Sequence, residues 1–165
     1  MGFLSQAYKK LLAASGLLAG VLVAGIALGV TVDVVSRNLG FGGLPWMIEV
    51  SENALYVATF LAAPWVLSLG AHVRVDLVMN VLSPGTGRVL EIGADLCGLG
   101  VSLVFVWFGY DATADAARLG SMIAKQLVIP EWWLLCVIPL SFLFMAVEFV
   151  LRLRRAVAAV KPAEG

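Results

Sequence analysis

Glu49 and Glu52 stand one helical turn apart, and Glu91 and Asp95 stand four residues apart, each pair inside or beside a long apolar run. Paired carboxylates are one means of acid–base chemistry, but no acid–base pair is placed for it here. Acids at membrane depth are costly, so they mark either a function or a structural pair. Arg88 lies three residues before Glu91 and offers such a pair; for Glu49 both readings stand. His72 opens the segment His72-Val73-Arg74-Val75-Asp76. There it forms a polar collar at headgroup level, or bridges to Asp76 or to a partner subunit. No serine or cysteine neighbours it, so no histidine-activated nucleophile forms. One histidine cannot supply paired haem ligands, and no Cys/His group has zinc spacing. Cys97 and Cys136 lie in apolar runs and read as small packed hydrophobes. A phosphate-binding glycine loop with a lysine is missing. The sequence therefore predicts a protein that is not an enzyme, with no metal or cofactor of its own.

The elements that position these residues are membrane helices. The chain has 165 residues, of which 61% are hydrophobic and only 13% charged, with 11 basic against 11 acidic residues. Mean hydropathy is +0.98. Soluble domains carry roughly a quarter charged residues, and a chain this small cannot hide so much apolar area in its own core. Disorder needs the opposite composition. A nucleic-acid binder leaves a basic footprint, which zero net charge lacks. The expected fold is all-α, one membrane domain with four transmembrane helices near 11–32, 53–71, 89–110 and 128–148. The first run is too long for a signal-peptide core.

Basic residues set the orientation. With the N-terminus in the cytoplasm, that side holds Lys9, Lys10, Arg74, Arg88, Arg152, Arg154, Arg155 and Lys161, while Arg37, Arg118 and Lys125 lie outside. This bias favours both termini inside. Arg152, Arg154 and Arg155 form a stop-transfer flank able to touch anionic lipid.

The connections carry their own signals. Gly40, Gly42 and Gly43 mark turns, and Pro45 suits the first position of a helix. A stretch from there to Gly70 is about 39 Å long at 1.5 Å per residue, more than the bilayer core of about 30 Å. It must tilt, kink near Pro64, or begin as an interfacial helix over 45–52. Leu77, Val78, Val81 and Leu82 share a face, which predicts a second interfacial helix over 74–83. The third span runs on past Asp111, Asp115 and Arg118, with Asp115 and Arg118 placed to pair, and Gly120 ends it. Pro130 opens the fourth span and Pro139 kinks it. Gly16, Gly20, Gly25 and Gly29 form two small-residue pairs that let another helix approach, inside the chain or on another subunit. No run of polar residues occurs midway through any span, which makes this chain alone a poor transporter.

Taken in order, several of these residues resemble the small membrane subunit of the tripartite ATP-independent periplasmic (TRAP) transporters. They are Arg37 after the first span, Trp46-x-x-Glu49 opening the second helix, Gly70-Ala71-His72-Val73-Arg74-Val75-Asp76-Leu77 after it, and Pro130-x-Trp132 with Ile138-Pro139-Leu140 in the last span. The resemblance covers nearly the whole chain. Ser68-Leu69, Ala63-Pro64 and Ser141 depart from the family's usual residues. The resemblance implies that Arg37, Trp46, Glu49, Gly70, His72, Arg74, Asp76 and Pro139 serve the subunit interface or the fold. It also implies a division of labour. A large elevator-type membrane subunit carries the substrate and sodium sites, a periplasmic substrate-binding protein delivers a small organic acid, and the small subunit is a scaffold in the bacterial inner membrane. The competing reading from the residues is a membrane anchor or assembly subunit of another complex.

Overall fold

The computed structural model describes residues 2–69, 84–125 and 127–158. Within them the chain forms helices α1 (Gly2–Asn38), α2 (Trp46–Leu69), α3 (Pro84–Leu119), α4 (Glu131–Leu135) and α5 (Val137–Ala158). A two-stranded antiparallel hairpin, β1 (Met122–Ala124) with β2 (Val128–Pro130), joins α3 to α4. Four stretches are long and apolar enough to cross a membrane: Gln6–Asn38, Trp46–Leu69, Gly87–Leu119 and Glu131–Ala156. The fold is that of an all-α, four-span membrane protein.

The ends of α1 and α3 have local reasons. At the end of α1, Gly40 takes a left-handed φ of +79°. The Phe41 amide donates to the Ser36 carbonyl and the Gly40 amide to that of Arg37, which closes the turn as a Schellman motif. Gly120 does the same for α3 at φ +63°, with Ser121 donating to the Ala116 carbonyl.

Three expectations change. Residues 46–52 are the first turns of α2, not a separate interfacial helix. Nothing between Trp46 and Asn53 breaks a helix, and the Ser51 hydroxyl bonds back to the Met47 carbonyl. The last span is interrupted at Cys136, between α4 and α5, three residues before Pro139. A proline cannot donate to the carbonyl four residues back, so the irregularity falls in the turn before it. The hairpin takes residues 128–130 out of the fourth span. The segment expected as an interfacial helix over 74–83 lies outside the described residues.

The principal contacts run in a line, α1 on α2, α2 on α5 and α5 on α3. Two pairs, α1–α2 and α3–α5, meet along the α2–α5 seam. Aromatic rings cross that seam: Tyr56 meets Phe60 edge-on at 4.9 Å, Phe60 leans on Phe142 at 6.3 Å, and Phe142 stacks on Phe105 of α3 at 4.4 Å. Because the helices form a row and not a closed bundle, only 11–22% of each span's apolar window is buried inside the chain.

Candidate functional site

Among the described residues, the features that can carry function are the seams, the two ends and the open faces. Along α1 the buried and half-buried positions include 12, 16, 19, 22, 26, 29, 33 and 36. Steps of three and four give the period of left-handed helix packing. This stripe takes one glycine from each small-residue pair. A Cβ on Gly16 would collide with the Trp65 ring, and one on Gly29 with the Met47 side chain. Both glycines are notches for α2. Gly20 and Gly25 face open space. The α3–α5 pair repeats the device, with Gly98 against the Phe149 ring and Gly109 against Pro139, whose Cδ would lie 3.1 Å from an added Cβ.

At the loop end, the acids are used to fasten chain segments. Buried Asp33 pairs with Arg37 at 2.7 Å and accepts the Leu44 amide, folding the 39–45 loop onto α1. Ser36 donates to the Gly42 carbonyl at 2.8 Å. Trp46 starts α2 and remains exposed. Glu49 is buried and accepts the Leu127 amide at 2.9 Å, and Glu52 pairs with Lys125 at 2.8 Å. The start of α2 therefore grips the hairpin. The Glu52 hydrogen bond holds the Lys125 ammonium above the usual lysine range.

At the terminal end, the pairing differs from expectation. Arg88 and Glu91 form no ion pair among the described residues. Asp95 pairs instead with Arg152 of α5 at 3.2 Å, with side chains 4% and 15% exposed. One turn further along α3 than Glu91, Asp95 faces α5 and can be matched across the seam. Glu148, also buried, lies 3.8 Å from Arg155. The Tyr8 hydroxyl donates to the Phe144 carbonyl at 3.0 Å and brings the start of α1 to α5. Asp115 and Arg118 likewise form no ion pair among the described residues.

Sequence reasoning missed Asp33, Asp95, Glu148, Arg152 and Lys125 as partners. Only Asp33, four residues before Arg37, carried a local signal. Gly70, His72, Arg74 and Asp76 lie outside the described residues. No group of three or more His, Cys, Asp or Glu side chains that could hold a metal occurs among the described residues.

The described residues form a row of four apolar spans in which Asp33, Glu49, Glu52 and Asp95 fasten segments of the chain to one another. Comparison with curated proteins returns no match. Residues 26–159 match the family model described as "Tripartite ATP-independent periplasmic transporters, DctQ component". That match spans most of the chain, from the last part of the first apolar helix through the other three. The chain therefore belongs to the DctQ family, the small membrane component of the tripartite ATP-independent periplasmic transporters.

Proposed function

We propose that this subunit is the fixed scaffold of its transporter, bracing a large elevator-type membrane subunit and handling no solute itself. The observation that carries this reading is the row of helices, which leaves broad apolar faces uncovered by the chain itself. A lone four-span solute carrier would need polar groups converging at the midplane. Here the buried acids near the ends of the spans are matched to bases or backbone amides of the same chain. The sodium and solute sites then belong to the large subunit, and a periplasmic substrate-binding protein delivers a small organic acid for sodium-driven symport. No enzymatic step and no cofactor is assigned to this chain. Both termini face the cytoplasm of a bacterial inner membrane, and the loop end faces the periplasm. His72, Arg74, Asp76 and Gly70 on one side, and Arg37, Trp46 and Glu49 on the other, position the subunit against its partner and the lipid.

Co-expression with the large subunit tests this. The expected result is a stable heterodimer whose sodium-driven uptake in proteoliposomes stops when this chain is omitted. His72→Ala or Glu49→Ala weakens assembly or uptake with solute preference unchanged. Full uptake without this chain, or an altered preference in either variant, contradicts the reading.

A further inference from the structure

Pro64 lies inside α2 and is fully buried. In an α-helix the amide of residue i donates to the carbonyl of residue i−4. Pro64 has no amide hydrogen, so the Phe60 carbonyl loses its donor within the helix. The Phe60 carbonyl sits near the middle of the span Trp46–Leu69, and Pro64 stands one turn further on. Water is scarce at that depth, and every backbone polar group must find a partner in the protein.

The Phe60 carbonyl does find one. Ser141 of α5, itself only 4% exposed, donates its hydroxyl to that oxygen at 2.6 Å. This is not the usual behaviour of a helical hydroxyl in this molecule. Thr31, Ser51, Thr59, Ser102 and Thr113 each donate to the carbonyl four residues back in their own helix. That local bond is the common choice for serine and threonine in apolar helices. Ser141 instead reaches another helix, to the one carbonyl of α2 that a proline has stripped of its donor.

We propose that Ser141 supplies the hydrogen bond that Pro64 cannot, so that the two residues form one unit, a lock in the middle of the membrane between the two helix pairs. Two consequences follow from the geometry. The α2 helix continues through its proline without an orphaned carbonyl. It also cannot slide or turn against α5 without stranding that oxygen in an apolar layer. The neighbouring contact of Phe60 with Phe142 tolerates small shifts, whereas a 2.6 Å hydrogen bond does not. The lock rests on helix geometry and stands whether or not the chain is a transporter scaffold.

Thermal unfolding of the full chain in one detergent, at one scan rate, tests the coupling. The proteins are the native form, Ser141→Ala, Pro64→Ala and the double variant. Ser141→Ala lowers the midpoint by about 3 °C. In the Pro64→Ala background the new amide serves Phe60, and adding Ser141→Ala lowers the midpoint by less than about 1 °C. Equal falls in both backgrounds, or no fall in the native one, overturn the proposal. If Ser141→Ala accumulates no folded protein, folded yield gives the same comparison. Recovery of the double variant to the Pro64→Ala yield supports the lock, and no recovery refutes it. A second arm compares Ser141→Thr with the near-isosteric Ser141→Val and needs no change at Pro64. A lower midpoint for valine is expected, and equal midpoints rule out a role for the hydroxyl.

Discussion

The seams inside the two helix pairs and the seam between the pairs are built differently. Inside the pairs, contact depends on missing side chains: Gly16 under Trp65, Gly29 under Met47, Gly98 under Phe149. Between the pairs, the Phe60–Phe142 ring contact is joined by bonds between polar atoms: Ser141 to Phe60, Leu127 to Glu49, Lys125 to Glu52, Tyr8 to Phe144. Lipid is as apolar as a leucine side chain, so helices in a membrane gain little from hydrophobic burial and must rely on close packing or hydrogen bonds. Close packing brings helices together along their length. Hydrogen bonds are directional and fix register. The molecule uses the first to make two stiff pairs and the second to hold those pairs in one arrangement, with the loop end fastened twice and the middle and the terminal end once each.

The α3–α5 pair has both devices, and the largest predicted loss comes from its polar part. Arg152→Met leaves Asp95 buried without its base, and costs about 3 kcal/mol in the stability of the purified protein. A cost below about 1 kcal/mol would mean that the glycine notches alone hold this pair. Next in size, Gly16→Leu forces the α1–α2 pair apart and costs about 2 kcal/mol, whereas Gly20→Leu leaves the isolated chain's thermal midpoint unchanged. If both variants behave alike, the stripe read on α1 is wrong. Glu49→Ala removes the acceptor for the Leu127 amide and costs about 1.5 kcal/mol, with the 122–130 hairpin becoming the preferred site of protease cleavage. Cleavage elsewhere first would contradict the grip of α2 on the hairpin.

The smallest effect is expected at Lys125. Its pair with Glu52 is exposed to solvent, so Lys125→Gln leaves the unfolding midpoint within error. The raised pKa of Lys125 gives the sign of its pH response. Whatever the pair contributes is present below the ordinary lysine range and is lost only as pH rises through the lysine's folded value. A hairpin that loosened between pH 6 and 8 would have another cause.

Much of this architecture is legible from the chain alone, for identifiable reasons. Four apolar runs of sufficient length leave few alternatives in a bilayer, and Gly40 and Gly120 mark helix ends because a left-handed turn is easy for them. Other parts depend on pairs distant in sequence. Asp95 and Arg152 are far apart in the chain, and Arg88 is the nearer base. Choosing between them requires knowing which face of α3 meets α5. The four glycines of α1 look equivalent by spacing. They divide into notches and open positions only once Trp65 and Met47 are placed. The hairpin has three residues per strand, too few for alternation to register. The departures at Pro64 and Ser141 look unrelated until the hydrogen bond joins them.

A fixed scaffold keeps its two helix pairs at one separation throughout transport. Leu39, just past α1, and Leu119, the last residue of α3, are 65% and 81% exposed and belong to different helix pairs at the loop end. Spin labels at Leu39→Cys and Leu119→Cys, with Cys97 and Cys136 replaced by alanine, report the distance between the pairs in the assembled transporter. The expected result is one distance distribution, the same with and without sodium and solute. A shift of several ångströms on adding them would show that the two pairs move against each other, and the scaffold reading would fall.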